Sequence, residues 1–187
     1  MKKNVFLGGL IAAGGLLLFR SWANRPKKAE PMQDFDIEKF QGAWYEIARV
    51  DNEFDILKTN VIIHYAYKEQ DNTIDIVQNS FNVETEKWET AKGLGKFRQD
   101  KTVGALKIRF YNSTFEGYNI LSTDEDYQYA LVVGRNLKYL WILSRERKPL
   151  PKEIKDKYLK WAELMGYKVS NLNWVRQHLA NPFALES

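Results

Sequence analysis

The side chains able to do chemistry are few and poorly gathered. The 187-residue chain has two histidines, His64 and His178, and no cysteine. Neither histidine has a serine or aspartate partner at a recognisable spacing, and no His-Glu-x-x-His pattern occurs. Without a thiol there is no disulfide, no thiolate zinc site and no cysteine nucleophile. The 24 Asp and Glu residues are scattered over turns and polar faces. No catalytic residue, metal or cofactor is therefore expected. The abundance is aromatic instead: six Trp, ten Tyr and ten Phe. Such side chains suit strands and apolar pockets, so the chemistry to expect is non-covalent burial of apolar matter.

Charge narrows the partners. The formal net charge is +4, but residues 1–23 hold three basic groups and no acid, leaving 25 basic against 24 acidic residues in the body. A nearly neutral body gives a nucleic-acid partner little electrostatic support, and none is expected. Residues 1–23 read as a targeting segment: Lys2 and Lys3, an apolar run over 5–19, then Ser21-Trp22-Ala23 at a cleavage position. The alternatives are a cleaved signal peptide and a retained anchor, through which residues 5–19 would associate with a membrane. Residues 24–34 read as a linker, 35–177 as the folded body and 178–187 as a tail.

The elements that must position these side chains are strands. From Phe40 onward the apolar period is two, not 3.6. Eight strands are expected over 45–51, 60–67, 73–81, 87–97, 105–111, 118–122, 127–133 and 138–144, joined by short turns such as Gln70-Asp71-Asn72 and Gly134-Arg135-Asn136. Short joins favour antiparallel neighbours, and eight such strands hide their edges by closing into a barrel. One helix follows, with Pro151 near its start and Gly166 at its stop. Ile154, Tyr158, Trp161 and Met165 form an apolar stripe that would pack on the barrel's outside. A last short strand is a candidate at 172–175. The fold class is thus all-β, an eight-stranded antiparallel up-and-down barrel with one C-terminal α-helix outside.

Three motifs in order carry a resemblance: Gly42-Ala43-Trp44 opening the first strand, Thr123-Asp124 at a late turn, and Arg145 closing the last strand. Together with the runs 42–49 and 139–145, they resemble the lipocalins, and within them the bacterial, apolipoprotein-D-like outer-membrane group. The resemblance covers roughly 35–175. It implies a barrel whose closed end is plugged by Gly42, Trp44, Thr123, Asp124 and Arg145, with an indole under a guanidinium.

With Trp44 and Arg145 inward, strand parity makes Ala48, Ile63, Tyr65, Phe97, Leu106, Ile108, Phe110, Tyr118, Ile120, Ala130, Val132, Tyr139 and Trp141 the lining, with Phe54 at the mouth. Glu46, also inward, reads as a buried structural carboxylate near the base. The parity of 73–81 stays ambiguous, because Ile74, Ile76 and Val77 cannot share a face.

The resemblance implies binding, storage or transport of a small apolar ligand such as a fatty acid or lysophospholipid, at the envelope or in the periplasm of a Gram-negative bacterium. Two alternatives stay open: a filled barrel with a structural role, and a lipocalin-type isomerase. Many bacterial relatives are acylated on a cysteine; this chain has none and is not expected to be a lipoprotein.

Overall fold

The computed structural model describes residues 25–52, 55–111, 113–180 and 182–183; the targeting segment and Phe54 lie outside the described residues. Among the described residues there are nine strands: β1 (Gly42–Val50), β2 (Lys58–Lys68), β3 (Thr73–Asn82), β4 (Lys87–Phe97), β5 (Ala105–Phe110), β6 (Glu116–Thr123), β7 (Tyr129–Gly134), β8 (Leu140–Ser144) and β9 (Leu172–Trp174). The first eight pair antiparallel in chain order, and β1 pairs with both β2 and β8, so the sheet closes on itself. A closed ring has no edge to expose along those pairings.

Alternation along each strand sorts the apolar residues into two layers. The inner layer includes Trp44, Ile63, Tyr65, Ile74, Ile76, Leu106, Tyr118, Ile120, Ala130, Val132 and Leu143. The outer layer includes Leu121, Leu131, Val133, Leu140 and Ile142, covered by helix α2 (Lys152–Met165). Pro151 stands at the N-cap of α2, and Gly166, at φ 99°, ends it in the left-handed region. Tyr158 and Ala162 form the buried centre of its packing face. Trp161, expected on that face, is 38 % exposed. It stands about 60° round the helix from Tyr158, on the side away from Ala162, at the edge of the stripe.

No periodic pattern marks α1 (Ile37–Phe40), a single turn whose N-cap Asp36 accepts from the backbone N–H groups of Glu38 and Lys39. Four residues are too few to display a helical period. The stretch expected as a linker is laced into the body. Met32 N–H donates to the Ile120 carbonyl, Gly104 N–H to that of Met32 and Phe35 N–H to that of Thr102. Ala29 is fully buried.

Period two breaks at one point in β1. Glu46 pairs with Leu143, but Ala48 pairs with Ile142, so Ile47 is an extra residue in the ladder, a β-bulge. Parity reverses beyond it. Ala48, expected in the lining, packs in the outer layer, and Arg49 takes the inward direction instead. Past the Tyr45–Ile62 pair, β1 and β2 part, and the C-terminal segment fills the gap. β9 pairs with residues 48–50, Asn60 N–H donates to the Arg176 carbonyl, and the Gln177 amide donates to the carbonyls of Glu46 and Val61 at 2.9 and 3.0 Å.

Candidate functional site

One end of the barrel is shut from the residues upward. Trp44 is fully buried and its indole N–H donates to the Phe40 carbonyl at 2.7 Å. The Arg145 guanidinium lies 3.9 Å from the Trp44 ring centroid. It donates to the carbonyls of Ala43, Lys39, Gln41 and Phe40, and its Nε donates to that of Tyr127. One cation thus serves the orphan carbonyls at the end of α1 and ties β1 to β8. Burial brings Arg145 down to about 10, still charged at neutral pH. Gly42 sits at φ 94°, in the left-handed region that residues with a Cβ rarely adopt. Thr123 ends β6, and the Asp124 carboxylate accepts from Gln128 and Tyr129 N–H, both at 2.7 Å, ordering the turn into β7.

Above this plug, the structure brings Ile63, Tyr65, Leu106, Tyr118, Ile120, Ala130 and Val132 into the inner layer, with Phe97, Ile108, Phe110 and Trp141 packed against it and only half-buried. Phe97 stands edge-on to Tyr67 where β2 and β4 end, on the closed side. Tyr139 precedes β8 and stacks on Trp141 at 6.1 Å, 22° between planes. Trp141 in turn lies 5.6 Å from Tyr118. The lumen is crossed at one level: the Tyr65 and Tyr118 hydroxyls meet at 2.5 Å. β2 and β6 face each other in a ring of eight, so this pair spans the barrel. Burial holds both phenols far above their ordinary range, and they act as hydrogen-bonding neutral groups.

The parity left open in β3 is settled. Ile74 and Ile76 face in, Val77 faces out, and Gln78 shares the inward face opposite Ile63 and Ala91. Small residues on β4 do not all leave space. A Cβ at Gly93 would lie 3.0 Å from the Phe110 ring, which occupies that position.

The bulge also turns Arg49 towards Glu46, which a strict period of two conceals. Arg49 is fully buried; it donates to Glu46 at 2.7 Å, to Asp51 at 2.8 Å and to the carbonyls of Asp55 and Lys58. Glu46 is therefore fastened to the loop between β1 and β2, at the open end, and not at the base. Burial raises its carboxyl to about 7 against the attraction of Arg49. The available signal was local: an arginine in an apolar strand, with Glu46, Asp51 and Asp55 within six residues.

The open end is framed by the loops between β1 and β2, β3 and β4, β5 and β6, and β7 and β8. Ile56, Val83, Tyr111 and Leu137 are exposed on these four loops. No cluster of His, Asp or Glu able to hold a metal occurs among the described residues. His64 faces outward, and burial lowers its imidazole from 6.5 against a backbone contact with Phe183. His178 lies in the tail.

Comparison with known proteins agrees with this geometry. Residues 35–177 match the lipocalin-like domain. The chain is 34% identical over 167 residues to the outer membrane lipoprotein Blc of Citrobacter freundii, covering 89% of this chain and 93% of that one. The Escherichia coli K12 protein of the same name is 33% identical over 152 residues, 81% of this chain and 85% of its own. Among solved structures, lobster apocrustacyanin A1 superposes with a TM-score of 0.66 at 18% identity, over 86% of this chain and 94% of that one.

Proposed function

The chain belongs to the lipocalin family, and on that premise we propose that it holds a fatty acid or lysophospholipid in the barrel lumen at the cell envelope. The family binds small hydrophobic ligands, and the relatives' name, outer membrane lipoprotein, supports an envelope setting. With no cysteine in the chain to carry an acyl group, the apolar segment 5–19 is the membrane contact in this reading.

One observation carries the proposal. Ile108, Phe110 and Trp141 lie on the inward face yet are only half-buried, which supports a reading in which apolar surface inside the barrel is left uncovered towards the mouth. The Tyr65–Tyr118 bridge is the floor of that space. An acyl chain of ten methylenes buried there would contribute about 8 kcal/mol before ordering costs, so micromolar binding calls for a longer chain or added contacts from its headgroup.

The filled barrel is the second reading, favoured by the Phe110 ring over Gly93 and by the phenol bridge. A fluorescent fatty-acid probe separates the two. In the first reading the full chain enhances the probe with a micromolar Kd, and both unlabelled fatty acid and lysophospholipid displace it. Phe110→Asp and Trp141→Asp then weaken the probe at least tenfold. No enhancement, together with a bare mass in native mass spectrometry, supports the filled barrel.

A further inference from the structure

A second recess lies outside the barrel, behind the bulge of β1. It encloses about 490 Å³ between the β8–α2 connection and the C-terminal segment. Its floor is apolar, formed by Ile47, Val175 and Trp174, and its rim carries Arg147, Lys148, Arg176 and His178. No carboxylate lines it among the described residues. The neighbouring Glu146 is taken by Lys148, at 3.0 Å. Lys155 adds its charge from below, 4.5 Å from the Trp174 ring centroid.

The walls are fixed by bonds unrelated to any ligand. Arg176 is held through its carbonyl by Asn60 N–H at 2.7 Å, Gln177 through its amide by two carbonyls, and Leu179 N–H by the Asn60 side chain at 2.8 Å. Arg147 spends one donor on the Leu179 carbonyl at 3.2 Å, leaving four of the five N–H groups of its fork. The side chains of Arg176 and His178 make no hydrogen bond or ion pair among the described residues.

We propose that this recess is a binding site for a phosphate monoester. Its arginines on two separate segments offer planar forks suited to phosphate oxygens. A monoester carries about −1.5 to −2 charges at neutral pH, matching several cations where a carboxylate would match one. The indole of Trp174 and the Ile47 and Val175 surface accept the apolar side of the esterified group. The site is independent of the lumen, because Ile47 belongs to the outer layer and the barrel wall stands between the two. The monoester has two sources, a soluble metabolite or the phosphatidic acid headgroup of a membrane.

The test is a titration of the isotope-labelled full chain with glycerol 3-phosphate, read at the Trp174 indole N–H resonance, with acetate as the competing anion. A parallel arm compares binding to phosphatidylcholine vesicles containing either phosphatidic acid or phosphatidylglycerol, so that any contribution of residues 5–19 is common to both. Saturable binding of glycerol 3-phosphate, or a preference for phosphatidic acid, supports the site and identifies the source. In either case Arg176→Gln and Arg147→Gln each weaken binding by about tenfold. Arg176 makes no side-chain bond that folding would lose, which guards against a merely unfolded variant.

Lys107→Gln is the control, because Lys107 belongs to a separate basic group around Phe115, 5.2 Å from that ring centroid. Binding of neither probe overturns the proposal. So does acetate binding as tightly, or Lys107→Gln weakening binding as much as Arg176→Gln. The fatty-acid probe keeps its affinity in Arg176→Gln, so a failure here and a failure of the lumen reading are told apart.

Discussion

Glu46→Gln sets two opposing effects against each other, and the structure decides between them. Glu46 is buried, and its carboxyl is raised from 4.5 to about 7, so the folded chain holds that proton more tightly than the unfolded chain. Its contribution to stability is fully present below about 4.5 and is lost as pH rises to about 7. One group moved that far is worth at most about 3 kcal/mol. Against this, removing one member of a buried ion pair ordinarily costs about 3–5 kcal/mol.

The second effect is blunted here. The glutamine carbonyl still accepts from Arg49 Nη1, and Asp51, 2.8 Å from Nε, keeps the guanidinium paired. The variant should therefore match the wild type within about 1 kcal/mol at pH 5 and be as stable or more so at pH 8, by up to about 3 kcal/mol. Urea unfolding at pH 5, 6, 7 and 8 measures this. Subtracting the two curves removes contributions common to both proteins, including His64, whose lowered value favours the fold at higher pH. Parallel pH curves, or a variant weaker by about 3 kcal/mol at pH 8, would refute the reasoning and make the ion pair dominant.

Two further outcomes follow from buried partners. Tyr65→Phe or Tyr118→Phe alone strands the other hydroxyl, now bonded at 2.5 Å, and should cost about 1–3 kcal/mol in urea unfolding. The double variant should cost less than the sum of the two, and a strictly additive cycle would show the bridge to be energetically idle. Arg145→Met strands carbonyls of Ala43, Lys39, Gln41 and Tyr127 and should cost at least about 3 kcal/mol. Arg145→Lys should recover little, because an ammonium cannot both lie on Trp44 and reach carbonyls on two sides. A lysine variant as stable as wild type in thermal unfolding would reduce Arg145 to a point charge.

Strand existence was legible because alternation is a physical requirement of a sheet with an inner and an outer layer. Tyr118 with Ile120, and Leu106 with Ile108 and Phe110, share a face in the sequence and in the barrel. The plug residues could be located by motif, but their bonding could not. Arg145 works through carbonyls of α1, a turn too short to leave a pattern. The β3 ambiguity was of another kind: Val77 is apolar on the outer face, and only the register with β2 and β4 tells it from Ile76.

The bulge at Ile47 is the instructive failure, because period two holds only while every residue is paired. On the side where β1 and β2 have parted, the Ile47 carbonyl accepts from Val175 N–H at 2.9 Å. The local sequence therefore cannot announce the bulge, since its partner lies 128 positions away. The consequence is chemical. Without the extra residue Ala48 would line the lumen and Arg49 would face outward; with it, a buried guanidinium joins Glu46 to Asp51, Asp55 and the start of β2. The same displaced Ile47 forms the floor of the outer recess. One unpaired residue thus gives the lumen its charge pair on one side of the wall and the proposed phosphate site its apolar base on the other.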